Sequence, residues 1–138
     1  MGRTAALAFA AGLLIASAPA SARTEAWLHN GAEVSWSSYL GWRQVVRVRE
    51  ASLTSVSSAA APGAVLFSGW RYGNRLYGKA RAFRQGCSRP FAYKVRGIVS
   101  DDGMRAVLHG LSPVIENCRI VGYRAFGRGA TIVLIKAD

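Results

Sequence analysis

Eight cations recur along this sequence on runs that alternate apolar and polar residues: Arg43, Arg47, Arg49, Lys79, Arg81, Lys94, Arg96 and Arg105. A guanidinium fork pairs bidentately with carboxylate, phosphate or sulfate and also stacks on flat rings, whereas an ammonium acts as a point charge. Tyr77, Phe83 and Tyr123 lie among these cations and offer ring faces to a sugar or a base. The set is a candidate anion-binding site. Its ordinary alternative is a solvated basic face that keeps the protein soluble. Convergence of Arg43, Arg96 and Arg105 on one concave patch would favour a site, and scatter would favour the solvated face.

Other chemistry has less to stand on. His29 and His109 are the two imidazoles, and a metal-free ribonuclease would need one as base, one as acid, and cations for the phosphorane charge. They are far apart in sequence and no Glu or Lys motif accompanies them. Asp101-Asp102-Gly103 lacks the spacing of a calcium loop and has no closing Glu, so it is a turn. Ser112-Pro113 lacks the Gly-x-Ser-x-Gly context of a hydrolase elbow. The glycines from Gly122 to Gly129 make no Gly-x-Gly-x-x-Gly loop. Only seven carboxylates are present, too sparse for paired-acid glycosidase work. The expectation is a non-catalytic protein with no metal and no cofactor.

The total of 18 Lys plus Arg against 7 Asp plus Glu gives a formal net charge of +11. Such a field attracts polyanions of any kind. The length of 138 residues allows one domain and excludes a multidomain enzyme. Residues 1–22 have the three parts of a signal peptide: a positive start at Arg3, an apolar run from Ala5 to Ala16, and small residues ending in Ala20-Ser21-Ala22. Cleavage is expected after Ala22. The apolar run is shorter than the roughly 20 residues a spanning helix requires. Export also bears on Cys87 and Cys118, the only two cysteines. An oxidising compartment favours their pairing, and no C-x-x-C or further ligand set supports redox or zinc chemistry. The bridge would be worth about 3–4 kcal/mol by loop-closure entropy.

Strands must position these groups. Period-two runs cover Arg43 to Arg49, Val65 to Trp70, Leu76 to Arg84, Phe91 to Val99, Met104 to Gly110, Cys118 to Phe126 and Ala130 to Lys136. Asn30-Gly31, Gly73-Asn74, Asp102-Gly103 and Gly127 to Gly129 punctuate them as tight reversals. Tyr93, Val95, Gly97 and Val99 share one side of their strand, and Lys94 and Arg96 share the other. Ile132 to Ile135 is apolar on both sides and is expected to be a central or doubly covered strand. Trp27, Trp36 and Trp42 crowd the start of the chain, as core or lid packing or as an exposed ridge. The expected fold is all-β, a small antiparallel meander forming a barrel or sandwich. Residues 23–63 form an aromatic segment and Ser/Ala-rich linker, and residues 64–138 a disulfide-linked β domain.

From Gly78 onward, Gly78-x-Ala80-x-x-Phe83, Cys87, Tyr93-x-Val95-x-Gly97, Gly110, Pro113, Cys118-Arg119 and Tyr123-Arg124 follow in order. This order resembles a group of small exported bacterial proteins of unknown function. The resemblance implies a compact disulfide-linked β domain and supplies no activity. The reading is therefore a periplasmic or secreted binding module, whose partner is an anionic polysaccharide, a lipid headgroup or another polyanion, with nucleic acid still open. The alternatives are a small ribonuclease-like hydrolase using His29 or His109, and a structural component of the envelope.

Overall fold

Every described strand pairs antiparallel with its neighbours, and most consecutive strands are joined as hairpins by short connections. The computed structural model describes residues 22–49 and 60–138. The expected signal peptide, apart from Ala22, and most of the Ser/Ala-rich linker lie outside them. The strands are β1 (Arg23–His29), β2 (Ala32–Tyr39), β3 (Arg43–Val48), β4 (Val65–Tyr72), β5 (Arg75–Ala82), β6 (Phe91–Val99), β7 (Arg105–Gly110), β8 (Ser112–Glu116), β9 (Arg119–Arg124) and β10 (Thr131–Lys136). Eight of them close into a barrel in the order β1-β10-β7-β6-β5-β4-β3-β2, and β8 and β9 form a separate hairpin. The protein is an all-β barrel with one disulfide. β1, β2 and β3 are three of its staves, so residues 23–48 share a single core with residues 65–136. No composition boundary near residue 63 interrupts that core.

The alternation along each strand decides what faces inward. β6 buries Tyr93, Val95 and Val99 and exposes Lys94, Arg96 and Ile98. β7 buries Ala106 and Leu108, and β3 buries Gln44, Val46 and Val48. Phe67, Leu76 and Leu134 complete the centre. The crowded tryptophans divide. Trp27 and Trp36 are 3% and 4% exposed, with ring centroids 4.6 Å apart inside the barrel. Trp42 is 42% exposed and stacks instead on Trp70. Trp36 Nε1 donates to Gln44 Oε1 at 2.7 Å, and Ser38 Oγ donates to the same oxygen at 2.9 Å. The glutamine carbonyl is thus doubly satisfied in the core, whereas its Nε2 is buried without a hydrogen-bond partner among the described residues.

The reversals differ in type. Asn30 and Gly31 both have positive φ (50° and 81°), as a type I′ hairpin requires. The Asp102-Gly103 turn is wider than a two-residue hairpin. The ladder closes with Ser100 N donating to Arg105 O, and only Gly103 has positive φ. Asp102 stays on the ordinary side because its carboxylate accepts from Ser100 Oγ at 2.6 Å and from Met104 N at 3.0 Å. Those bonds, the Ser100 hydroxyl first, hold its carboxyl below the ordinary range. For β10 the structure selects one of the two expectations, a central strand rather than a doubly covered one. Ile135 is 51% exposed, so the strand is central in the barrel but uncovered outside. Its apolar character reflects β propensity as much as burial.

Cys87 and Cys118 are joined across 31 positions, with Cα atoms 5.5 Å apart. The bond ties the β5–β6 connection to the tip of the β8–β9 hairpin. Such a bond is consistent with an extracellular or periplasmic environment.

Tyr93 supplies a pH test of the core. Its phenol donates to Gly129 O at 2.6 Å, and burial pushes its pKa from 10.0 up to about 12. Above the unfolded value the unfolded chain has lost this proton while the folded chain keeps it. Stability from the group is therefore intact below pH 10 and declines as pH rises towards about 12. Thermal melts across this window should fall more steeply for the wild type than for Tyr93→Phe. Equal slopes would contradict the burial argument.

Candidate functional site

Antiparallel pairing stacks residues from successive strands into rows across the barrel. One inward row runs Gly69, Gly78, Val95, Gly110 over β4 to β7. Three of its four members lack a side chain. A Cβ on Gly69 would meet the Tyr77 carbonyl oxygen and lie 2.7 Å from the Gly78 Cα. The backbones thus close in where side chains would hold them apart. On the outside, the same backbone is the floor of an open groove of about 830 Å³.

Two outward rows make its walls. On one side Arg43, Trp70, Tyr77, Arg96 and His109 stand in register over β3 to β7. All five end in a planar group. On the other side stand Ser68, Lys79 and Lys94, and Lys79 is paired directly with Lys94. Like charges directly opposite on a ladder repel and destabilise it. Among the described residues no carboxylate lines the groove. Among the described residues the ion pairs are Arg23–Glu25, Arg49–Glu33 and Lys136–Glu25, none involving a groove cation.

The planar wall is braced from behind. Trp42 stacks on Trp70 at 4.8 Å with 24° between planes, and the Arg43 guanidinium lies over Trp70 at 5.6 Å. Tyr72 lies against Tyr77 at 6.5 Å. Beyond the Tyr77–Arg96–His109 stretch a second depression of about 460 Å³ continues over Gly97, lined also by Arg75 and Ile98.

Of the eight candidate cations, Arg43, Lys79, Lys94 and Arg96 meet in the groove. The other four stand outside it. Arg47 donates to Gly63 O at 3.4 Å, and Arg49 pairs with Glu33 at 2.8 Å. Arg81 lies further along β5 opposite Ala92, and Arg105 lies opposite Ile135 near the β6–β7 turn. Arg43 and Arg96 therefore converge on a concave patch and Arg105 does not. Among the candidate rings only Tyr77 reaches the groove. Phe83 borders a smaller depression by the β8–β9 hairpin, and Tyr123 is exposed on β9. Trp70 was not singled out from the sequence, because its neighbours in the row come from other strands. A Gly-Trp step in an alternating run was the available signal.

His109 joins the groove, with Nδ1 3.4 Å from Thr131 Oγ1. His29 does not: its Nδ1 lies 3.1 Å from Val133 O at the end of β1. The two imidazoles thus do not line a common cleft. Among the described residues no three of His, Cys, Asp and Glu gather as metal ligands. No family model, curated protein or solved structure matches the chain.

Proposed function

We propose that the protein is an exported, non-catalytic binding module that holds a polyanion in the outer groove of its barrel. The observation that carries this reading is the cluster Arg43, Lys79, Lys94 and Arg96 on one concave surface, with no carboxylate beside it among the described residues. Lys79 and Lys94 face each other across a ladder at an electrostatic cost that an anion would remove. Phosphate and sulfate esters both satisfy this chemistry, whether on a polysaccharide, a lipid headgroup or a nucleic acid.

Retention on heparin resin tests it. Lys79→Ala/Lys94→Ala should elute at markedly lower salt and bind a soluble heparin fragment about tenfold more weakly. Its thermal stability should stay level or rise, because the opposed pair is gone. Arg49→Ala/Arg105→Ala removes the same charge outside the groove and should shift elution much less. Equal shifts in both pairs would mean that retention follows net charge alone, and the groove reading would fail.

A further inference from the structure

The two walls of the groove differ chemically, and that difference narrows the polyanion. We propose that the groove binds a single strand of nucleic acid, with bases against the planar wall and phosphodiesters against the ammonium wall. The proposal rests on the groove being a polyanion site.

Tyr77, Arg96 and His109 present a phenol, a guanidinium and an imidazole in one row, with Trp70 beside them. Flat groups in register suit flat rings. Two residues along the same strands, Lys79 and Lys94 present mobile point charges. The walls are thus about 6.6–6.8 Å apart along the strand direction. A ligand that matches carries unsaturated rings on one edge and anions on the other. A single-stranded nucleic acid has that layout. An acidic polysaccharide carries its charges on the same puckered rings that would stack, so it does not separate rings and anions onto two edges. A lipid offers one headgroup and no flat ring. A duplex hides its base faces in its own stack.

Two further features fit a polymer. The second depression places Arg75 beyond the planar row, so cations lie on both sides of it. Trp42 and Tyr72 back the two aromatic rings, which limits the freedom lost when a base stacks. Positively charged grooves with interleaved aromatics are a general solution for sequence-tolerant single-strand binding.

The test compares a short oligothymidylate, the same sequence annealed to its complement, and a heparin fragment, titrated against tryptophan fluorescence. The single strand should bind more tightly than the duplex. Tyr77→Ala should weaken oligothymidylate about tenfold, Tyr77→Phe should restore it, and heparin affinity should hardly change in either variant. The Tyr77 ring is outside the core, and circular dichroism will verify that both variants are folded. Lys79→Ala/Lys94→Ala should lower the slope of log affinity against log salt by about 1.4 for the oligonucleotide. Oligothymidylate binding that ignores Tyr77→Ala, or a duplex that binds as well as the single strand, overturns the proposal. So does heparin binding more tightly while the oligonucleotide does not bind, which leaves the polyanion site standing with a polysaccharide in it. Failure of both polyanions to bind removes the site itself.

Discussion

Gly78→Ala should remove much of the protein's stability, on the order of 3 kcal/mol, and Gly69→Ala should do the same. These residues pair directly across β4 and β5. A methyl on Gly78 would run into the Ser68 carbonyl oxygen and lie 2.7 Å from the Gly69 Cα. Both obstacles are backbone, held by the ladder on either side, so neither can swing aside as a flexible side chain would. Relief requires β4 and β5 to separate, and that breaks a ladder on which the closed barrel depends. A single small domain has only about 5–15 kcal/mol in hand, so the melting temperature should drop by roughly 10–20 °C. Gly122→Ala is the matched control. It too replaces a strand glycine, but its Cβ would meet nothing within 4 Å. Its melting temperature should stay within a few degrees of wild type by circular dichroism. Similar melting for all three variants would mean that the close approach is not what the barrel depends on. Because the same glycines floor the groove, any surviving Gly78→Ala protein should also bind heparin less well.

Breaking the disulfide should have an effect of comparable size by a different route. Cys87→Ser/Cys118→Ser should lose about 3–4 kcal/mol through the freedom regained by the unfolded chain. In the folded chain the loss falls on the β8–β9 hairpin. β9 is exposed along most of its length, and the hairpin is anchored mainly by the buried Ile115 and Pro113 of β8 and by Arg84 donating to Ile115 O at 2.9 Å. Hydrogen exchange in the variant should therefore show β8 and β9 opening before the barrel strands. Cys118 also sits at φ 58°, a conformation that side chains other than glycine disfavour. Cys87→Ser/Cys118→Gly should recover about 1 kcal/mol of the loss for that reason. Unchanged melting on reduction would show that the hairpin needs no tether.

Strand faces were legible from alternation. On β6 the split between Tyr93, Val95 and Val99 and the cations Lys94 and Arg96 follows directly from the two-residue period. The turn at Asn30-Gly31 was legible because few residue pairs tolerate positive φ twice. β8 was not, since Ser112-Pro113 interrupts the pattern and proline disfavours a strand unless its missing donor faces an unpaired edge. The exposure of Ile135 was not, because an apolar β-branched residue suits a strand whether or not its outer face is covered.

What the chain's residues determine alone is local: which positions extend, where they reverse, which side of each strand is cationic, and that only one sulfur pair exists to bond. What the tertiary structure decided is register across strands. Arg43, Trp70, Tyr77, Arg96 and His109 come from five strands and share no spacing in the sequence, yet closure sets them in one row. Arg105 alternates just as regularly and ends elsewhere. Alternation has a period of two and is blind to how far one strand slides against the next. That offset is set by hairpin geometry, by the glycine contacts at Gly69 and Gly78, and by the β1–β10 seam joining Trp27 to Lys136. A binding surface written across strands therefore exists only once the barrel has closed.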